Sequence, residues 1–85
     1  MKTGLILYIA GDNYDYNPEN VIQAGRKMYS ADRVEIVSTN AGHYDINYAW
    51  WALTAKGIHR VICIFVEIGD NCTARFSEKT LRLCG

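Results

Sequence analysis

The 85-residue sequence predicts a small single α/β domain, a mostly parallel sheet with helices on both faces. Two apolar runs and one alternation lead to that expectation. Residues 61–69 read VICIFVEIG, an almost unbroken β-branched and aromatic stretch of the kind expected of a strand covered on both sides. Residues 5–10, LILYIA, have the same character. Around these runs, segments with helical periodicity alternate with segments of strand character. A strand–helix–strand series of this kind joins parallel strands by right-handed crossovers.

The first strand is expected over residues 4–10, and it runs into GDNYDYNPEN, a cluster of turn-forming residues. Asn17 before Pro18 marks a helix start, with an N-cap side chain, proline at the first helical position and Glu19 in the first turn. Val21, Ile22, Ala24, Gly25, Met28 and Tyr29 then form one stripe of the wheel, and Glu19, Gln23, Arg26 and Lys27 the other. Gly25 lies within the apolar stripe, where a missing side chain allows close approach to the sheet. The second strand, residues 33–39, is interrupted by Glu35 and closed by Ser38 and Thr39, which makes it an edge. A second helix is expected over about residues 46–56, with Asp45 as N-cap and Gly57 as its stop. The central strand, residues 61–69, follows. After the turn residues Gly69, Asp70 and Asn71, residues 72–76 fold back as a short antiparallel strand, and residues 77–85 form a tail without an assigned structure.

Polarity orders the strands. If the first and third are doubly covered neighbours, the polar second strand and the short fourth take the edges, giving a Rossmann-like βαβαβ(β) domain of order 2-1-3-4 with its last strand antiparallel. The winding reverses between the first and third strands, and open sheets place ligands beyond the carboxyl ends of strands at such a switch point. Asp12 and Asn13, Ser38, Thr39 and His43, and Glu67 and Asp70 belong to that end. A functional reading makes Asp12, Glu67 and Asp70 a hard-cation or acid–base set with His43 as the imidazole in reach. Turns are also rich in these residue types for backbone reasons alone, so no catalytic residue, metal or cofactor is assigned. His59, at the opposite end of the sheet, is expected to be structural.

Formal net charge is zero, which leaves no overall field to attract nucleic acid or an anionic membrane. The charges are nevertheless segregated. Asp12, Asp15, Glu19, Asp45, Glu67 and Asp70 fall at the carboxyl end of the sheet, and Lys2, Arg26, Lys27, Arg33, Lys56 and Arg60 at the other, with Asp32 the exception. Helix dipoles favour that distribution without any partner. Cys63 falls inside the apolar run and is expected to act as a small buried side chain; Cys72 and Cys84 show no metal-ligand spacing, and all three are expected reduced. The opening apolar run of about six residues is shorter than the roughly 7–15 of a secretory h-region, and the expected location is the cytoplasm.

There is no GKS or GKT phosphate-loop signature and no GxGxxG turn after the first strand. Tyr8 to Gly11, YIAG, resembles the first strand of nucleoside deoxyribosyltransferase-like proteins, but the later catalytic carboxylate pattern of those enzymes is not matched and no family is claimed. What stands out instead is an aromatic load of six tyrosines and two tryptophans in so short a chain. In the second helix Ile46, Ala49, Trp50 and Leu53 make a core face, while Tyr44, Tyr48, Trp51, Ala52 and Ala55 fall on the opposite side. A helix that only covers a sheet needs one apolar face. The favoured expectation is therefore an interaction module that forms a homo-oligomer or docks a protein partner through the outer face of this helix. A small-ligand binder or enzyme at the acidic end, taking a nucleotide or sugar phosphate, ranks second. A weak nucleic-acid binder at the basic end ranks third, and no membrane partner is expected.

Overall fold

The computed structural model describes residues 2–10, 17–38, 43–69, 73–77 and 79–82, with the backbone alone at 38, 43–45, 79, 81 and 82. In chain order these residues form β1 (Thr3–Ala10), α1 (Pro18–Tyr29), β2 (Arg33–Ser38), α2 (His43–Thr54), β3 (Arg60–Gly69), β4 (Thr73–Phe76) and β5 (Lys79–Arg82). The sheet order is β2-β1-β3-β4-β5. β1 lies parallel to both neighbours, with Leu5 opposite Val34 on one side and Ile62 on the other. β3 and β4 are antiparallel, Val66 facing Phe76. The expected order 2-1-3-4 is present, and the segment that had no assigned structure adds a strand: β5 pairs antiparallel with β4, so β5 and not β4 takes that edge. β4 begins at Thr73; Cys72 lies outside the described residues.

Alternation along β1 sends its side chains to two cores. Leu5, Leu7 and Ile9 join Val66, Ile68, Ala74, Phe76 and the α1 residue Val21 on one face. Ile6 joins Val37, Ile58 and the α2 residues Ala49 and Leu53 on the other. The helices thus lie on opposite faces of the sheet.

The Asn17 side chain accepts a hydrogen bond from the Glu19 amide at 2.9 Å, and Pro18 opens α1 as expected. Ser30 ends the helix in the left-handed region, at φ 52°, and the next amide, of Ala31, reaches back to the Arg26 carbonyl at 3.0 Å. Gly25 lets α1 settle on the sheet: a Cβ there would stand 3.1 Å from both Leu5 Cδ2 and Leu7 Cδ1. Gly4 does the same on the other face, where a Cβ would come within 3.0 Å of Leu53 Cδ1 and Ile58 Cγ2.

α2 begins at His43, so Asp45, expected as its cap, lies within the helix. Its end is as predicted in kind. Gly57 takes φ 81° and donates to Thr54 O at 3.0 Å, while Ile58 donates to Leu53 O at 3.2 Å. This pair of bonds, with Leu53 and Ile58 both buried, is a Schellman stop. Asp32, the exception to the charge segregation, has a local task. Its carboxylate accepts from the Thr3 amide at 2.7 Å and its own amide donates to Thr3 O at 2.8 Å, fastening the start of β1 beside β2.

The expected cover of β3, with the burial of Cys63, and the expected burial of Trp50 also need correction. β3 is not doubly covered: Ile62, Ile64, Val66 and Ile68 face the α1 side, but Cys63, Phe65 and Glu67 on the other side are exposed. The reason is that α2 rests over β1 and β2 and the chain supplies no further helix over β3 among the described residues. Trp50, expected in the core, is likewise exposed.

Candidate interaction surface

α2 is apolar most of the way round, and only part of that surface meets the sheet. Ala49 and Leu53 are buried and Ile46 half-buried beneath it. On the far side Tyr48 and Trp51 are each 63% exposed, with ring centroids 6.3 Å apart, and Ala55 is exposed while Ala52 is half-buried. Nothing is described of the Tyr44 side chain. Tyr48 and Trp51 are three residues apart, about one turn of the helix, so their rings lie next to one another on its surface.

Trp50 is 51% exposed because it lies about 100° further round than Ala49, on the flank of the buried stripe. Which flank follows from handedness. With the strands vertical and α2 toward the viewer, a right-handed crossover carries the chain from β2 on the left to β3 on the right while α2 descends. A right-handed helix descending there turns Asn47, Trp50 and Thr54 toward β3. The side of the sheet they look along is the part that no described helix covers. Phe65 is 49% exposed on it, in tilted contact with Tyr8 of β1 at 5.9 Å between ring centroids, and Cys63 lies beside it with a free thiol.

Sequence reasoning missed this second half of the surface. In an unbroken apolar run, Cys63 and Phe65 look the same as Ile62 and Ile64, and only the position of α2 separates them. Beyond Phe65 the face turns polar: Glu67 of β3 lies opposite Arg75 of β4, which lies opposite Thr80 of β5, and all three are exposed.

The residues expected at the switch point are less fully seen. Asp12, Asn13, Thr39 and Asp70 lie outside the described residues, as does Cys84. Ser38 ends β2 opposite Ile9, and His43 opens α2, both described by backbone alone. Glu67 is on β3 opposite Ala10, at the carboxyl end and between the two strands where the winding reverses. Among the described residues no three His, Cys, Asp or Glu side chains gather where they could hold a metal ion. Nor is any helix among them long and apolar enough to cross a membrane. The basic residues Arg33 and Arg60 open β2 and β3 at the other end, near Arg26 and Lys27 in the last turn of α1, and His59 is exposed just before β3.

No family model matches this chain, and neither does any curated protein or solved structure.

Proposed function

We propose that this chain is a self-associating interaction module whose contact surface is the aromatic outer face of α2. The observation that carries the reading is the exposure of Tyr48 and Trp51 on a helix that already has a buried face through Ala49 and Leu53. Large aromatic side chains are the anchors that dominate interfaces, and they are costly to leave in water at about 25 cal/mol per Å². Zero net charge supports association of identical copies, since no long-range repulsion opposes it. At the carboxyl end of the sheet Glu67 is the one proposed ligand-binding residue whose side chain is described, and no reaction is assigned there.

Sedimentation equilibrium from low to high micromolar concentration tests the proposal. A reversible oligomer is expected, and Trp51→Ala should weaken it by about 2 kcal/mol or more with the monomer's unfolding midpoint unchanged. A single monomeric species at high micromolar concentration would remove the proposal.

A further inference from the structure

Resting on that reading, we infer what the outer face of α2 meets: the uncovered strands of a second copy, with each α2 lying over β3 and β4 of the other chain. The part of this face that no described helix covers has the dimensions of one helix. Strands are about 4.8 Å apart, so the surface from β3 to β5 is roughly 10 Å across, the width of a helix with its side chains. It is the place where a chain continuing the α/β alternation would set its next helix, and here the chain turns back through β4 and β5 instead.

Symmetry and alignment leave two arrangements. Two facing sheets whose strands stay aligned, related by a twofold axis in the plane between them, have that axis either across the strands or along them. An axis across the strands keeps left and right, stacks α2 on α2 and leaves Phe65 looking at the other chain's Phe65 over a gap one helix or more deep. An axis along the strands exchanges left and right. Each α2 then drops into the bare half of its partner, and the two helices lie side by side in one layer between two sheets.

Only the second arrangement covers all four large apolar side chains that are exposed among the described residues. Tyr48 and Trp51 press on the partner's β3, Phe65 is roofed by the partner's α2, and Trp50, on the flank toward β3, meets its own counterpart between the helices. Heights along the strand agree. Leu53 reaches Gly4, which pairs with Val61, so Trp51 and Tyr48, one half-turn and more than one turn earlier, stand level with Cys63. One charge agrees as well. α2 runs antiparallel to the partner's β3, which sets Glu67, on the same face as Phe65, near the helix N-terminus, where the helix dipole favours it. Four aromatic side chains that bury about 150–250 Å² when fully covered and are now half to two-thirds exposed contribute roughly 400–500 Å² per chain. This is over half of the about 800 Å² per partner in a standard interface.

The experiment uses the full chain with Cys72→Ser and Cys84→Ser, so that Cys63 is the remaining native thiol. Phe65→Ser should weaken the dimer tenfold or more by sedimentation, and Tyr48→Cys should form a covalent dimer with Cys63 of the other copy on oxidation with diamide. Further change of Cys63 to serine should abolish that cross-link. If Phe65→Ser leaves the dimer intact, and Tyr48→Cys still cross-links to its own counterpart after Cys63→Ser, the helices stack on one another; association through α2 then stands and the helix-on-sheet arrangement is overturned. A monomer at high micromolar concentration overturns both.

Discussion

Ser30 holds a backbone conformation that costs a residue with a Cβ about 1–2 kcal/mol. Its task, turning the chain out of α1 so that the Ala31 amide can reach Arg26 O, needs no side chain. Ser30→Gly should therefore stabilise the fold by about 0.5–1 kcal/mol after the extra freedom of glycine in the unfolded chain is counted, read as a raised denaturant midpoint at constant slope. An unchanged or lower midpoint would mean that the seryl side chain contributes something the exposed turn does not suggest. Asn17, Pro18 and Gly57 were legible because each carries its backbone role in its chemistry. Ser30 was not, since serine has no left-handed preference of its own. Trp50 was misread for another reason. A helical wheel places residues by angle only, and whether a flank position is buried depends on where the helix axis crosses the sheet. The contrast is measurable in the monomer: Leu53→Ala should cost about 2–5 kcal/mol of folding stability, and Trp50→Ala under about 1 kcal/mol. Equal losses would restore Trp50 to the core.

Each helix is brought onto the sheet by a glycine, and the two do this from opposite partners. α1 contributes its own Gly25, whereas α2 is admitted by Gly4 of β1. Gly25 was readable from the apolar stripe in which it sits; Gly4, the first residue of an expected strand, carried no such mark, because the residue that needs the space is Leu53, far along the chain. Gly4→Val should destabilise by about 1–3 kcal/mol through overpacking against Leu53 and Ile58, despite the better strand propensity of valine. Circular dichroism and thermal unfolding would show it, and a neutral result would mean that α2 can lift away without cost. β5 was hidden for a complementary reason. Residues 79–82 contain one apolar side chain, and their strand conformation comes from pairing with β4, which a short polar segment does not announce.

At the level of the whole chain, polarity arguments recovered the strand order because edges and centres differ in composition: β2 carries Glu35, and β1 carries no charge at all. They could not say what covers each face of β3. An apolar run reports that its residues avoid water, not whether the cover belongs to the same molecule. The same ambiguity produced both the misplaced expectation of a doubly covered β3 and, from the outer face of α2, the expectation of a partner.

The position of β1 also bears on the order in which the molecule is built. Gly4 pairs with Arg33 on one side and with Val61 on the other, so the second of these partnerships closes the longer loop. By contrast β3, β4 and β5 are successive antiparallel neighbours with few residues of sequence between them, and contacts near in sequence form with the smaller loop-closure cost. These loop lengths predict growth as two halves, a β1-α1-β2-α2 half and a β3-β4-β5 meander, with the zipping of β1 to β3 as the expected last event. Until that moment each half exposes a bare, strongly apolar strand edge to every other chain in solution. Pulse-labelled hydrogen exchange during refolding should protect the β3–β4 amides before those bridging β1 and β3, and the reverse sequence would refute the two-half route. Crowded refolding should accordingly lose material to edge-to-edge aggregation at the stage when both halves exist and have not yet met.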